Sequence, residues 1–190
     1  MEDARLRFTA DSKGGSAFLF AGAAFWLIGA LVSLTLPAMR VEWMLYAGLA
    51  VPVLGLLIAR LQGARLGGHP GYASLVGFAT ITELAALPTM FYLRGDHPEA
   101  LPGVFLVADG AHLLILMWLH LDYTYFLAGL GKAILGSLFL FGVLWDGSYP
   151  LQMLAGGVIS LVAACFVWRD SGRTLALYLR AADDEPARGA

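Results

Sequence analysis

Six long apolar runs, parted by short polar breaks, dominate the chain. They cover 17–38, 43–59, 72–93, 101–119, 123–145 and 150–168. A helix that crosses a bilayer needs about 20 mostly apolar residues, and each run is near that length. Within the runs the apolar residues are continuous. The period-two alternation of a membrane barrel is missing, so the runs predict helices. Arg40 and Glu42 mark the first break, and Arg60 closes the second run. Arg94 to Glu99 form a polar loop before the fourth, which Pro102 opens in a first turn that loses nothing by its missing N–H. Residues 1–15 read as a polar tail. Residues 16–169 hold the six spans, and 170–190 read as a second tail, with a short amphipathic helix over 171–180 and a disordered end. The predicted fold class is all-α: a polytopic membrane bundle of six transmembrane helices. Five further runs follow the first, so it is read as a retained span rather than a cleaved signal. No internal repeat is legible.

Composition agrees with this reading. Of 190 residues, 59% are hydrophobic and 14% charged, against about 25% charged in an ordinary soluble domain. Mean hydropathy is +0.73. A chain of this length cannot hide so much apolar surface in one core, and membrane lipids are its natural partner. A net charge of −2 without a basic stripe gives no footing for nucleic acid. The single cysteine, Cys165, rules out an intrachain disulfide and any paired-cysteine metal or redox site.

Charge also sets the expected orientation. Arg5, Arg7, Lys13, Arg60, Arg65, Arg169, Arg173, Arg180 and Arg188 fall on one side of a six-span topology, and Arg40 and Arg94 on the other. Cytoplasmic loops carry the excess of lysine and arginine, so both termini are expected in the cytoplasm. Trp43, Tyr92 and Trp145 then lie at the outer interface, and Trp118, Tyr123, Tyr125 and Trp168 at the inner one. Trp26 breaks this distribution by falling near mid-span.

The candidate chemistry lies where a span should carry no charge. Glu83 is about halfway along the third run, Asp109 and His112 halfway along the fourth, and Lys132 halfway along the fifth. Each charge at a span centre costs about 2.5–3.5 kcal/mol, so these side chains are expected to face the bundle interior and pair. Lys132 with Asp109 or Glu83 is the expected pairing, with the other carboxylate protonated or bonded to His112. Asp109 and His112 are i,i+3 and share a face. His120 lies eleven residues past Asp109, about 20° from the same direction. Histidine exchanges protons near neutral pH, so Asp109, His112 and His120 form a candidate proton path. Gly129 and Gly136 flank Lys132 on one helix face and let a neighbouring helix come close. Pro88 is expected to kink the third helix just past Glu83, and Pro52 the second. A bland reading stands beside each of these. A buried ion pair can serve packing alone, His112 can be a hydrogen-bonded packing residue, and His120 an interfacial turn residue.

No catalytic residue, metal site or cofactor is assigned. The four histidines are widely spaced, His112 has no midplane partner for a haem, and hydrolase, metalloprotease and phosphate-loop motifs are missing.

Asp109-Gly110-Ala111-His112 followed by Trp118, Tyr123 and Tyr125, with Trp26, Pro52 and the loop Gly67-Gly68-His69-Pro70, resembles a family of small bacterial six-span membrane proteins of unknown function. The resemblance implies a multi-pass protein of the bacterial inner membrane and a role for the Gly-Ala-His element. It implies no activity. Small acetate and urea channels are similar in length and layout, but the Asn-Pro-Ala-Pro-Leu-Gly-Leu signature of the acetate type is missing, so they supply no residues. The first expectation is a transporter or channel binding a small solute or ion at Glu83, Asp109, His112 and Lys132. An intramembrane enzyme acting on a lipid, with Asp109 or His112 as general acid–base, is a second. A scaffold or sensor whose charges fix helix packing is a third. A homo-oligomer is compatible with all three.

Overall fold

The computed structural model describes residues 2–65, 70–120, 122–142 and 149–184. Trp145, the expected turn at 146–148, the Gly67-Gly68-His69 loop and the chain end from 185 lie outside the described residues. Among the described residues the chain is helical without strands: α1 (Glu2–Asp11), α2 (Ser16–Thr35), α3 (Arg40–Tyr46), α4 (Val51–Leu61), α5 (Pro70–Leu84), α6 (Leu87–Asp96), α7 (Leu101–His120), α8 (Tyr123–Leu140) and α9 (Tyr149–Asp184). These form six helical stretches long and apolar enough to cross a membrane: Lys13–Thr35, Pro37–Leu61, Ser74–Asp96, Pro98–His120, Tyr123–Leu140 and Tyr149–Arg173. The protein is thus an all-α, multi-pass membrane bundle. Its outer surface agrees, since Leu34, Leu57, Leu61, Phe78 and Ile134 are all more than half exposed, as lipid-facing side chains are and those of a soluble monomer rarely are.

Two spans are broken in mid-course, each next to a proline. The second passes from α3 through a 3₁₀ turn at Ala47–Ala50 into α4, with Pro52 in its first turn. The third breaks at Ala85 and Ala86 between α5 and α6, with Pro88 in the first turn of α6. Proline offers no N–H to the carbonyl four residues back and its ring crowds that carbonyl, so the α-helical ladder cannot run through.

Two helix pairs form the frame, α7 with α8 and α2 with α9. Around the bundle the packed neighbours run α5, α7, α8, α9, α2, α4. The α3 and α6 halves meet each other and α7 at one end. Among the described residues the α4 and α5 halves, at the other end, do not form a closely packed pair. Crossing of α7 and α8 depends on glycine. A Cβ at Gly110 would lie 2.5 Å from the Gly129 carbonyl oxygen, and one at Gly129 would lie 2.7 Å from the Gly110 oxygen.

The first fifteen residues hold a helix. Lys13, Gly14 and Gly15 take left-handed backbone angles (φ 54, 64 and 73°), which folds α1 back across the end of the bundle. There Arg5 lies 4.2 Å over the Trp118 ring, and the Tyr125 hydroxyl donates to the Gly14 carbonyl at 2.5 Å. So short and polar a helix is marginal alone, and these contacts hold it. At the other terminus α9 runs unbroken for 36 residues, about 54 Å at 1.5 Å per residue. That exceeds a hydrocarbon core of about 30 Å, so the stretch read as a separate tail helix continues the sixth span.

Two apolar clusters divide the interior. One gathers Phe8, Leu19, Leu116, Leu119, Tyr125 and Val167 at the end nearest α1. The other gathers Phe25, Trp26, Met44, Leu101, Phe105 and Met153 toward the opposite end. The charged residues sit between them.

Candidate functional site

A cavity of about 430 Å³ occupies the bundle between α2, α4, α5 and α7, with Tyr125 and Lys132 of α8 reaching its wall. Glu83, Asp109, His112, His120 and Lys132 all line it. The structure thus brings the five sequence-derived residues to one cavity, but divides them into three groups.

The first group is rigid. Lys132 Nζ lies 2.5 Å from Asp109 Oδ2, and the Trp26 indole N–H donates to the same oxygen at 2.8 Å. Lys132 is 1% exposed and Asp109 8%. The Gly110–Gly129 contact, one residue from Asp109 and three from Lys132, brings their helices close enough for the pair to meet. The ammonium also lies 5.7 Å from the Trp26 ring centroid, within cation–π reach. Asp109 therefore has its charge compensated and its acceptor used twice. The expected pairing of Lys132 is with Asp109.

The second group is loose. His112 Nδ1 of α7 lies 3.2 Å from Glu83 Oε2 of α5. The ring is not aligned to hydrogen-bond across that distance, and Nδ1 is left without a hydrogen-bond partner. The side chains keep 15% and 25% of their surface, and both face the cavity. The break at Ala85–Ala86 ends α5 immediately past Glu83, so this carboxylate is carried by the last turn of a half-helix. Asp109 and His112 share the cavity side of α7, as their spacing implies, yet take partners from different helices.

The third group closes the end next to α1. His120 stacks between Phe8 (centroids 5.6 Å apart) and Tyr125 (5.3 Å), is 4% exposed, and has no hydrogen-bond partner for Nδ1. It is an interior residue covered by the N-terminal helix, not an interfacial turn residue. A side chain at Gly15 would strike His120 Nε2 and the Tyr125 hydroxyl, so glycine at the hinge is what lets the two rings pack. Between His112 and His120 the cavity wall is apolar, formed by Leu113 and Leu116, and a proton moving between the two histidines would need water in the cavity.

Sequence reasoning left out two participants. Trp26 supplies the second donor to Asp109; its mid-span depth was the one signal. Tyr125, expected at the membrane interface, is fully buried and ties α8 to the hinge after α1. A third feature carries no motif at all: Phe8, Phe18, Phe25, Trp26, Phe105 and Tyr125 bring six aromatic rings to one cavity. Among the described residues no three His, Cys, Asp or Glu side chains gather closely enough to hold a metal ion.

A family model described as a family of unknown function (DUF7010) matches residues 1–170. No curated protein and no solved structure matches the chain.

Proposed function

From the premise that the chain belongs to the DUF7010 family of unknown function, we propose that it is a small transporter of the bacterial inner membrane. It binds a small solute in the bundle cavity, at Glu83 and His112. Both termini face the cytoplasm, and the seam between α4 and α5 lies in the cytoplasmic half of the bilayer. The observation that carries this reading is the contrast between the two ion pairs. Asp109, Lys132 and Trp26 form a compensated, buried strut. Glu83 and His112, at similar depth, are unaligned, partly exposed and turned to a cavity of ligand size; pockets for small molecules are typically about 300–1,000 Å³. Ionisable groups are costly in a bilayer, and a pair left unaligned there is suited to a third participant.

The strut favours a packing role for its own three members, and that part of the scaffold reading is kept.

The test is flux into vesicles reconstituted with the purified protein under a proton gradient, using radiolabelled organic cations, anions and neutral solutes. At least one solute should enter wild-type vesicles ten times faster than protein-free ones, and Glu83→Gln should bring it to the protein-free rate. Protein that elutes as a single folded species yet moves none of the three classes would refute the transporter reading.

A further inference from the structure

We infer that the ligand of this cavity is a lipophilic organic cation, a compact aromatic or aliphatic body bearing one delocalised positive charge. This rests on the reading of the cavity as a solute site and deepens it.

Three observations carry the inference. The first is charge. The cavity wall holds two carboxylates, Glu83 and Asp109, and one ammonium, Lys132. These three side chains carry a formal balance of −1. The ammonium is spent on Asp109 at 2.5 Å, so Glu83 is the acid left over. Among the described residues its ionic neighbour is His112, which approaches without hydrogen-bond alignment. An anionic ligand would meet the Glu83 carboxylate and find no free ammonium. A cation would meet Glu83 directly, and in a medium of low dielectric that attraction is much stronger than in water.

The second is the chemistry of the wall. Six aromatic rings line the cavity, with Leu19, Leu49, Leu56, Leu113 and Leu116 among its aliphatic members. The faces of aromatic rings attract cations, most of all desolvated ones. Such a wall offers few hydrogen bonds, so it cannot replace the hydration shell of a small hard ion or a sugar. A cation whose charge is spread over an apolar body has little hydration to lose and much apolar surface to bury.

The third is access. The half-helices α4 and α5 are not a closely packed pair among the described residues, and Pro52 and Leu56 of α4 line the cavity with Val76, Thr80 and Leu84 of α5. Both half-helices turn leucines, Val53 and Phe78 outward. The seam between them is therefore apolar at bilayer depth. A lipophilic cation concentrates in the membrane and can enter sideways through it. The end of the cavity next to α1 is stoppered by Phe8 and His120, and the seam between α4 and α5 is the lateral route proposed for the cation.

The experiment uses the full chain in dodecyl maltoside micelles, with tritiated tetraphenylphosphonium as the probe and tetraphenylborate, alike in shape and opposite in charge, as the control. Equilibrium dialysis against protein-free micelles should show saturable phosphonium binding at about one per chain. Glu83→Gln should weaken it at least tenfold, and Glu99→Gln, an exposed acid outside the cavity, should leave it unchanged. A second readout guards against misfolding of Glu83→Gln. In a Thr80→Cys, Cys165→Ser chain with Glu83 intact, saturating phosphonium should slow maleimide labelling of residue 80 at least fivefold, and tetraphenylborate should not. Absence of phosphonium binding, equal binding by a folded Glu83→Gln, or equal protection by tetraphenylborate would each overturn the inference. Saturable tetraphenylborate binding would overturn the ligand class and leave the solute cavity standing. Phosphonium binding without flux in any vesicle assay would do the reverse, removing the transporter reading and keeping the ligand class.

Discussion

Asp109 accepts from Lys132 and Trp26 through a single carboxylate oxygen, and that arrangement makes distinct predictions for the three side chains. Lys132→Met leaves a buried carboxylate without its counter-charge, which typically costs about 3–5 kcal/mol. Adding Asp109→Asn removes the uncompensated charge and keeps an acceptor for the indole, so the double variant should recover much of the loss. Trp26→Phe keeps the aromatic packing against Phe25 and Phe105 but deletes a donor to a charged group, for about 1.5–3 kcal/mol. Thermal unfolding of the purified chain in one detergent would rank them: Lys132→Met lowest, the double variant above it, Trp26→Phe between the double variant and wild type or level with the double. A double variant no more stable than Lys132→Met alone would argue against direct pairing. All four midplane ionisable residues were legible in the sequence, because a charge inside an apolar run announces itself. The partner of Lys132 was not, since Glu83 and Asp109 are equally deep and only helix rotation distinguishes them. Trp26 is unremarkable to hydropathy, and an indole donor inside an apolar run shows itself only once the acceptor across 83 residues is known.

The crossing of α7 and α8 sets where that pair can meet. Gly110 faces the Gly129 carbonyl, and Gly136 faces the Gly103 carbonyl at 2.7 Å from where a Cβ would sit. In a bilayer close backbone approach replaces much of the hydrophobic drive that water would supply. Gly110→Leu should push the two helices apart, cost about 1–3 kcal/mol as overpacking does, and stretch the Lys132–Asp109 contact. Its cost should shrink when combined with Lys132→Met and Asp109→Asn, because part of what it breaks is then already gone. Strict additivity, measured by the same unfolding assay, would mean that the glycine contact and the ion pair are independent. The small-residue face of α8 could be read from Gly129, Lys132 and Gly136, and the breaks in the second and third spans from Pro52 and Pro88. Helix α1 could not. Its sequence has little amphipathic order, and it is helical because Phe8 and Arg5 find His120 and Trp118 on α7, contacts that exist only after the bundle has formed. The unbroken α9 was also hidden, since the polarity change near Arg169 marks where the apolar stretch ends rather than where the helix does.

Among the described residues α4 and α5 are neighbours in the ring that do not form a closely packed pair, and the orientation of the bundle sets which leaflet their seam would face. Apolar run lengths fix six spans, but no local signal says which helices touch; neighbour order is a property of the packed set, and the seam could be seen only there. Orientation follows from charge. The end that carries α1 also carries Arg60 and Arg65, and the Arg65 amide donates to the Asp11 carbonyl at 2.7 Å, tying the loop after α4 to the end of α1. Val167 and Ser171 pack beside Gly14, which brings Arg169 and Arg173 to that end as well. The opposite end has Arg40, 5.2 Å over the Tyr149 ring, and Arg94, 5.6 Å over Phe91, so even these two cations are drawn back onto aromatic rings. Lysine and arginine near span ends resist crossing the inner membrane, and their surplus marks the cytoplasmic side. The end bearing α1 should therefore be cytoplasmic, and the α4–α5 seam should face the inner leaflet. His97, exposed in the turn between α6 and α7, offers the decisive position. In a Cys165→Ser background, His97→Cys should react with a membrane-impermeant maleimide added to intact cells, and Arg65→Cys should react only after the membrane is opened. Labelling of residue 97 from the cytoplasmic side alone would invert the topology and move the seam to the outer leaflet.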